Sequence, residues 1–124
     1  MESGHTVLVV DDSDAIRLLC RVNLELEGHR VFESATLAGA RELLEAETID
    51  VVLLDISVGA DDGRVLLDEL RETRPDIGVA MVTGSVDAPM LRNAGAHAVI
   101  VKPFELEDLK RTVAELAGRR APSM

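Results

Sequence analysis

Five short apolar runs punctuate the chain, each ended by charged or turn-forming residues. They are Val7-Leu8-Val9-Val10, the weaker Val31-Phe32, Val51-Val52-Leu53-Leu54, Val79-Ala80-Met81-Val82 and Val99-Ile100-Val101. Unbroken runs rich in β-branched residues suit strands covered on both faces, as in a parallel sheet. Between and after them lie segments of helical period: Asp14 to Glu27, Leu37 to Ala46, Gly63 to Arg74, a short piece from Ala88 to Ala94, and Glu105 to Ala117. Strand and helix therefore alternate throughout, the pattern of an α/β chain with crossover helices. The last segment is the most regular. Leu106, Leu109, Val113 and Leu116 share one stripe, and Glu105, Glu107 and Asp108 load the first turn, where the helix dipole favours negative charge. Gly28 and Gly118 follow helical stretches where a left-handed terminal residue is expected, and Pro75 and Pro89 mark a stop and a start.

The first helix carries more apolar surface than a single sheet-facing stripe requires. Ile16, Leu19, Cys20 and Leu24 fit the buried side, yet Leu18, Val22 and Leu26 form a second row at i, i+4, i+8. The second helix, with Leu37, Leu43 and Leu44 inside and Arg41, Glu42 and Glu45 outside, reads as scaffold.

At 124 residues the chain has the size of one domain. Thirteen Lys and Arg against twenty-three Asp and Glu give a net charge of −10, which repels nucleic acid and anionic lipid. With no Trp or Tyr and only Phe32 and Phe104, base-stacking platforms are also missing. Hydrophobic residues make up 47% of the chain, enough to fill a core of Val, Leu, Ile and Ala. The lone Cys20 cannot form an internal disulfide and reads as a packed core residue. The N-terminal residues lack a basic and apolar leader, and no run is long enough to cross a bilayer, so the expectation is a soluble cytoplasmic protein without membrane insertion. His5, His29 and His97 are scattered and expected to be exposed.

In an open parallel sheet, ligands bind beyond the carboxyl ends of the strands. After the first run stand Asp11 and Asp12, after the third Asp55, after the fourth Thr83 and Gly84, and after the fifth Lys102 and Pro103. Alone, Asp11 and Asp12 could cap a helix and Lys102 could be a solvated loop residue; together they put three carboxylates, a hydroxyl and an ammonium at one sheet edge. Clustered carboxylates raise one another's pKa unless a cation sits among them, and Mg²⁺ with oxygen ligands resolves that conflict. Beside a metal and a lysine, Asp55 can act as a nucleophile toward phosphorus. Lys102 and the metal would neutralise the phosphoryl group and the Thr83 hydroxyl would donate to it.

Leu8-Val9-Val10-Asp11-Asp12, Val52-Leu53-Leu54-Asp55-Ile56, Val82-Thr83-Gly84 and Val101-Lys102-Pro103-Phe104, in that order, resemble the receiver domain of bacterial response regulators. The resemblance runs from about Thr6 to Ala117, giving a receiver domain over 6–118 with short tails at 1–5 and 119–124. It implies a doubly wound, flavodoxin-like (βα)5 fold with a five-stranded parallel sheet. It implies Asp55 as phosphoacceptor, Asp12 as a direct Mg²⁺ ligand, Asp11 as a ligand mainly through water, and the Ser57 backbone carbonyl as a further metal oxygen. Thr83 becomes the switch hydroxyl, Lys102 the phosphate-pairing cation, and Pro103 follows a cis peptide bond. The implied function is a phosphorylation-dependent switch in a two-component system or phosphorelay, taking its phosphoryl group from a histidine kinase or histidine phosphotransfer protein. Catalysis is then confined to its own phosphorylation and dephosphorylation. Output is expected through protein contacts with a downstream target, with a homodimer as one form. In the family the first helix lies beside the phosphorylation site, so Leu18, Val22 and Leu26, with Pro103 and Phe104, are expected to extend a docking face.

Three departures stand against that pattern. Val99 occupies the place, three before the lysine, where the family commonly has a rotating aromatic. Lys102 follows Thr83 by nineteen positions, about one helical turn fewer than typical, which predicts a shortened fourth helix. Val58-Gly59 replaces the usual Met-Pro pair, and Gly59 with Gly63 predicts a mobile loop from Ser57 to Gly63, with Asp61 and Asp62 solvated. A small aspartate-nucleophile phosphatase is the enzyme alternative, but Ser57 stands where its general acid would be. A phosphorylation-independent receiver-like scaffold is the interaction alternative, favoured by Val99 and the short fourth segment.

Overall fold

A computed structural model describes residues 4–84 and 88–118, so most of both expected tails lies outside the described residues. Alternation within the central strands divides the core in two. In β1 (Thr6–Val10), Val7 and Val9 face one side of the sheet while Leu8 and Val10 face the other; Val51 and Leu53 oppose Val52 and Leu54 in β3 (Val51–Asp55), and Ala80 and Val82 oppose Val79 and Met81 in β6 (Gly78–Thr83). Both faces must be covered by helices, which is why these strands lack polar alternation. α1 (Asp14–Leu26) and α5 (Leu106–Gly118) cover one face with Cys20, Leu24, Leu109, Val113 and Leu116. α2 (Leu37–Ala46), α3 (Arg64–Thr73) and α4 (Ala88–Asn93) cover the other with Leu37, Leu44, Leu66, Leu67, Leu70 and Leu91. Each fully buried Leu or Val contributes about 1.5–3 kcal/mol of burial free energy, and the only aromatics packed against the core are the half-buried Phe32 and Phe104.

With β2 (Arg30–Ser34) and β7 (Ala98–Val101), the five main strands run parallel in the order β2-β1-β3-β6-β7. This is the doubly wound, flavodoxin-like topology expected from the sequence. The weak Val31-Phe32 run extends to a five-residue strand because β1 supplies its ladder. Ser13 caps α1 by accepting from the Ile16 N–H, and Thr36 caps α2 by accepting from the Gly39 N–H. Gly28 adopts the expected left-handed conformation at φ 92°, whereas Gly118 is simply the last helical residue of α5. Gly95, at φ 111°, takes that left-handed role after α4 instead. Among the described residues α4 spans six.

Three expectations are corrected. Residues 57–62 form an antiparallel hairpin, β4 (Ser57–Val58) with β5 (Asp61–Asp62), rather than a loop. Val58 inserts into the core and fixes it, while Gly59 supplies the left-handed turn position at φ 64°. Leu19 is exposed, because α1 presents Cys20 and Leu24 to the sheet and rotates Leu19 toward the outer row. The histidines are half-buried and hydrogen-bonded. His29 Nδ1 accepts the His5 N–H at 3.2 Å and His97 Nδ1 accepts the Val79 N–H at 3.0 Å, so they satisfy main-chain donors at strand starts.

Candidate functional site

β1 hydrogen-bonds to β2 on one side and β3 on the other, so the chain reverses its winding between β1 and β3. The crevice this opens lies at their carboxyl ends, and there the structure gathers Asp11, Asp12 and Asp55. One carboxylate oxygen from each lies within 4.8 Å of the others. Asp11 is 2% exposed and Asp55 8% exposed, whereas Asp12 is open to solvent.

β7 delivers the balancing charge. The Lys102 ammonium donates to Asp11 Oδ2 at 3.1 Å and Asp55 Oδ2 at 3.2 Å, while the Lys102 N–H donates to the Thr83 carbonyl at 2.8 Å and ties β7 to β6. Burial pulls the ammonium pKa down, but the hydrogen bonds and charges of Asp11 and Asp55 together raise it above the ordinary lysine value. Asp55 is pushed above the usual carboxylate range, first by burial and then by Asp11; the Ser57 amide and Lys102 oppose this without cancelling it. One ammonium among three carboxylates leaves a surplus of negative charge. That surplus, and an all-oxygen donor set, fit a hard divalent cation.

Other contacts hold the carboxylates in place. Asp11 Oδ1 accepts the Ser13 N–H at 2.9 Å, Asp55 Oδ1 the Ser57 N–H at 3.3 Å, and Asp12 Oδ2 the Gly59 N–H at 3.1 Å. At the base of the hairpin, the Gly63 N–H donates to the Ile56 carbonyl at 2.7 Å. A Cβ on Gly63 would lie 2.0 Å from the Asp55 carbonyl oxygen, although its φ of −60° suits any residue. Gly63→Ala therefore tests close approach alone and is expected to cost about 2–3 kcal/mol, read from the urea midpoint. An unchanged midpoint would mean that the Asp55 main chain gives way freely.

Thr83 is fully buried at the end of β6, on the same sheet edge. Pro103 follows a cis peptide bond and is exposed; Phe104 is half-buried against the α1–α5 side. Val99 is half-buried on the α4 side of the sheet. Leu18, Val22 and Leu26 are exposed, Leu26 by 77%, and Leu19 widens their row.

Sequence reasoning missed Arg17. Its guanidinium donates to the Asp11 carbonyl at 2.6 Å and to Glu33 at 3.3 Å, and it also pairs with Asp14. The side chain thus braces the β1 end against β2. Its place one turn into α1, six positions after Asp11, is a clue, but the Glu33 partner lies just past the two-residue apolar run that marks β2.

The model of the response regulator receiver domain matches residues 7–114. The chain belongs to this family. The sensor kinase CckA of Brucella abortus is 38% identical over 125 residues, a match covering 97% of this chain and 13% of that protein. The transcriptional regulatory protein TorR of Escherichia coli is 31% identical, covering 93% of this chain and 51% of that protein. The chain thus spans at most about half the length of these two relatives. A CheY-like receiver domain structure from Methanospirillum hungatei superposes with a TM-score of 0.87 at 33% identity, covering 95% of this chain and 97% of that one. As a receiver domain, the chain falls among the switch modules of two-component response regulators, for which phosphoaspartate and Mg²⁺ are typical. Among the described residues, no helix is long and apolar enough to cross a membrane.

Proposed function

We propose that this receiver, over residues 6–118, is a cytoplasmic phosphorylation-dependent switch with Asp55 as phosphoacceptor. The observation that carries this reading is the Lys102 ammonium held between Asp11 and Asp55, beside Asp12. Asp11, Asp12, Asp55 and the Ser57 carbonyl would hold Mg²⁺. When bound, the cation supplies charge neutralisation and orientation for the incoming phosphoryl group. An Asp55 carboxylate oxygen attacks phosphorus of a phosphohistidine on a histidine kinase or phosphotransfer protein; the O–P bond forms as the N–P bond breaks, and the histidine is released. Lys102 then pairs with the phosphoryl oxygens and Thr83 donates its hydroxyl to one of them. Later attack by water returns Asp55 and inorganic phosphate.

Intact mass after incubation with acetyl phosphate and Mg²⁺ tests this. A single phosphate adduct that requires Mg²⁺ is expected. Absence of the adduct with both acetyl phosphate and a cognate phosphohistidine donor would favour the phosphorylation-independent scaffold.

The exposed row of α1 is proposed as the docking face for the phosphohistidine partner, with Pro103 and Phe104 beside it. Because Leu18, Val22 and Leu26 contribute little to the core, L18S/V22S/L26S should fold and still react with acetyl phosphate. Transfer from the protein donor should slow by about tenfold or more, as loss of interface anchors does. Equal transfer rates would remove this face from the docking surface. Downstream signalling to a protein target, including as a homodimer, completes the proposal.

A further inference from the structure

The β4–β5 hairpin brings main-chain donors to two of the three clustered carboxylates. Ser57 donates to Asp55 and, at the tip, Gly59 donates to Asp12 across forty-seven positions of sequence. The donor at the tip is carried by a hairpin closed at its base and anchored in the core. Ser57 pairs with Asp62 and Val58 with Asp61; Val58 is 2% exposed in the core; the Gly63–Ile56 hydrogen bond closes the base. Gly59 itself has φ 64°, which glycine adopts without strain, and a Cβ there would meet nothing within 4 Å. Asp12, by contrast, is exposed and precedes α1, so packing alone does not restrict its carboxylate.

We infer that the Gly59 main-chain N–H is a positioning group for the divalent-cation site, holding Asp12 Oδ2 so that the carboxylate is oriented before the cation arrives. The inference rests on the reading of Asp12 as a cation ligand. Groups that orient ligands without touching the metal change affinity because they remove the cost of ordering the ligand on binding. The coupling is reciprocal: a cation that favours the oriented Asp12 also favours the closed hairpin.

Calorimetric titration with Mg²⁺, combined with hydrogen exchange at the Gly59 amide, tests the inference. In the wild type the Gly59 amide should exchange slowly in EDTA and more slowly with Mg²⁺, and Asp12→Ala should remove that protection. Replacing Gly59 with glycolic acid by semisynthesis turns the amide into an ester and deletes the N–H with φ left free, whereas Gly59→Asn keeps the N–H and tolerates the left-handed backbone. The Mg²⁺ dissociation constant should rise about tenfold in the ester and stay close to wild type in Gly59→Asn. Equal affinity in all three proteins would overturn the inference while leaving Asp12 as a ligand. Equal weakening in both variants would assign the effect to turn strain and would also overturn it. If the ester protein does not fold, the exchange measurement decides: a Gly59 amide indifferent to Mg²⁺ overturns the inference. A wild type that does not bind Mg²⁺ overturns the reading of the cluster together with the inference.

Discussion

Asp55→Asn is expected to abolish the phosphate adduct and, in the same molecule, to stabilise the metal-free fold at neutral pH. The first effect follows from loss of the carboxylate proposed as the nucleophile, since a carboxamide oxygen does not form the acyl phosphate. The second follows from the electrostatics of the cluster. Burial and the neighbouring Asp11 raise the Asp55 pKa above its ordinary value of 3.8, so the folded chain holds this proton more tightly than the unfolded chain. Stability then falls as pH rises from that ordinary value through the higher folded one, and above it the ionised Asp55 is a net cost to folding. Asn removes the charge at almost unchanged volume, and its single carboxamide oxygen keeps one of the two donors that Asp55 Oδ1 and Oδ2 accept, the Ser57 N–H or Lys102, so the lost acceptor offsets part of the relief. A gain of about 1 kcal/mol at pH 7 is expected, or about 4 °C in the calorimetric midpoint in EDTA. The advantage should shrink on acidification, as the wild-type carboxyl takes up its proton. A variant less stable than wild type at pH 7 would show that the Asp55–Lys102 attraction outweighs burial and the Asp11 repulsion.

The parts of the site that depend on side-chain identity at strand ends were legible in the sequence. Val51 to Leu54 is too uniformly apolar for anything but a covered strand, so Asp55 had to emerge at its carboxyl end, and Val7 to Val10 places Asp11 and Asp12 by the same logic. Lys102 and Thr83 followed because parallel strands put all their carboxyl ends at one edge. The parts that depend on main-chain donors were not legible. An N–H is common to every residue but proline, so nothing at Gly59 announced a hydrogen bond to Asp12. The hairpin is not legible in the sequence for a related reason. Its strands are two residues each, and one of them is Asp61–Asp62, a pair without strand propensity; the buried Val58 and the closed base hold it. Leu19 shows the limit of a periodic pattern: at roughly 100° per residue it sits between the two apolar rows of α1, and the packing of Cys20 and Leu24 decides which row it joins.

Lys102→Met should produce the opposite stability change in the metal-free protein, a loss set by charge. Methionine retains most of the aliphatic stem, so the substitution removes the ammonium with little change in packing volume. It leaves Asp11 and Asp55 ionised side by side, with Asp11 almost wholly buried and without its cation. Breaking a fully buried pair costs about 3–5 kcal/mol; the Lys102 side chain is a quarter exposed, so water offsets part of this and about 2–3 kcal/mol is expected at pH 7. The pH dependence separates this electrostatic origin from a packing defect. The folded-state pKa of Lys102 is raised, so its contribution is fully present below the ordinary lysine value of 10.5 and disappears as pH climbs through the folded value. Wild-type and variant stabilities should therefore converge under strongly alkaline conditions. They should also converge toward the acid side, because protonating Asp55 relieves the repulsion that the variant exposes. Added Mg²⁺ should narrow the gap at pH 7 by supplying the missing positive charge, while phosphoryl acceptance should stay depressed because the ammonium proposed to pair with the phosphoryl oxygens has gone. A deficit that is the same at every pH, and unmoved by Mg²⁺, would locate the role of Lys102 in packing rather than in charge.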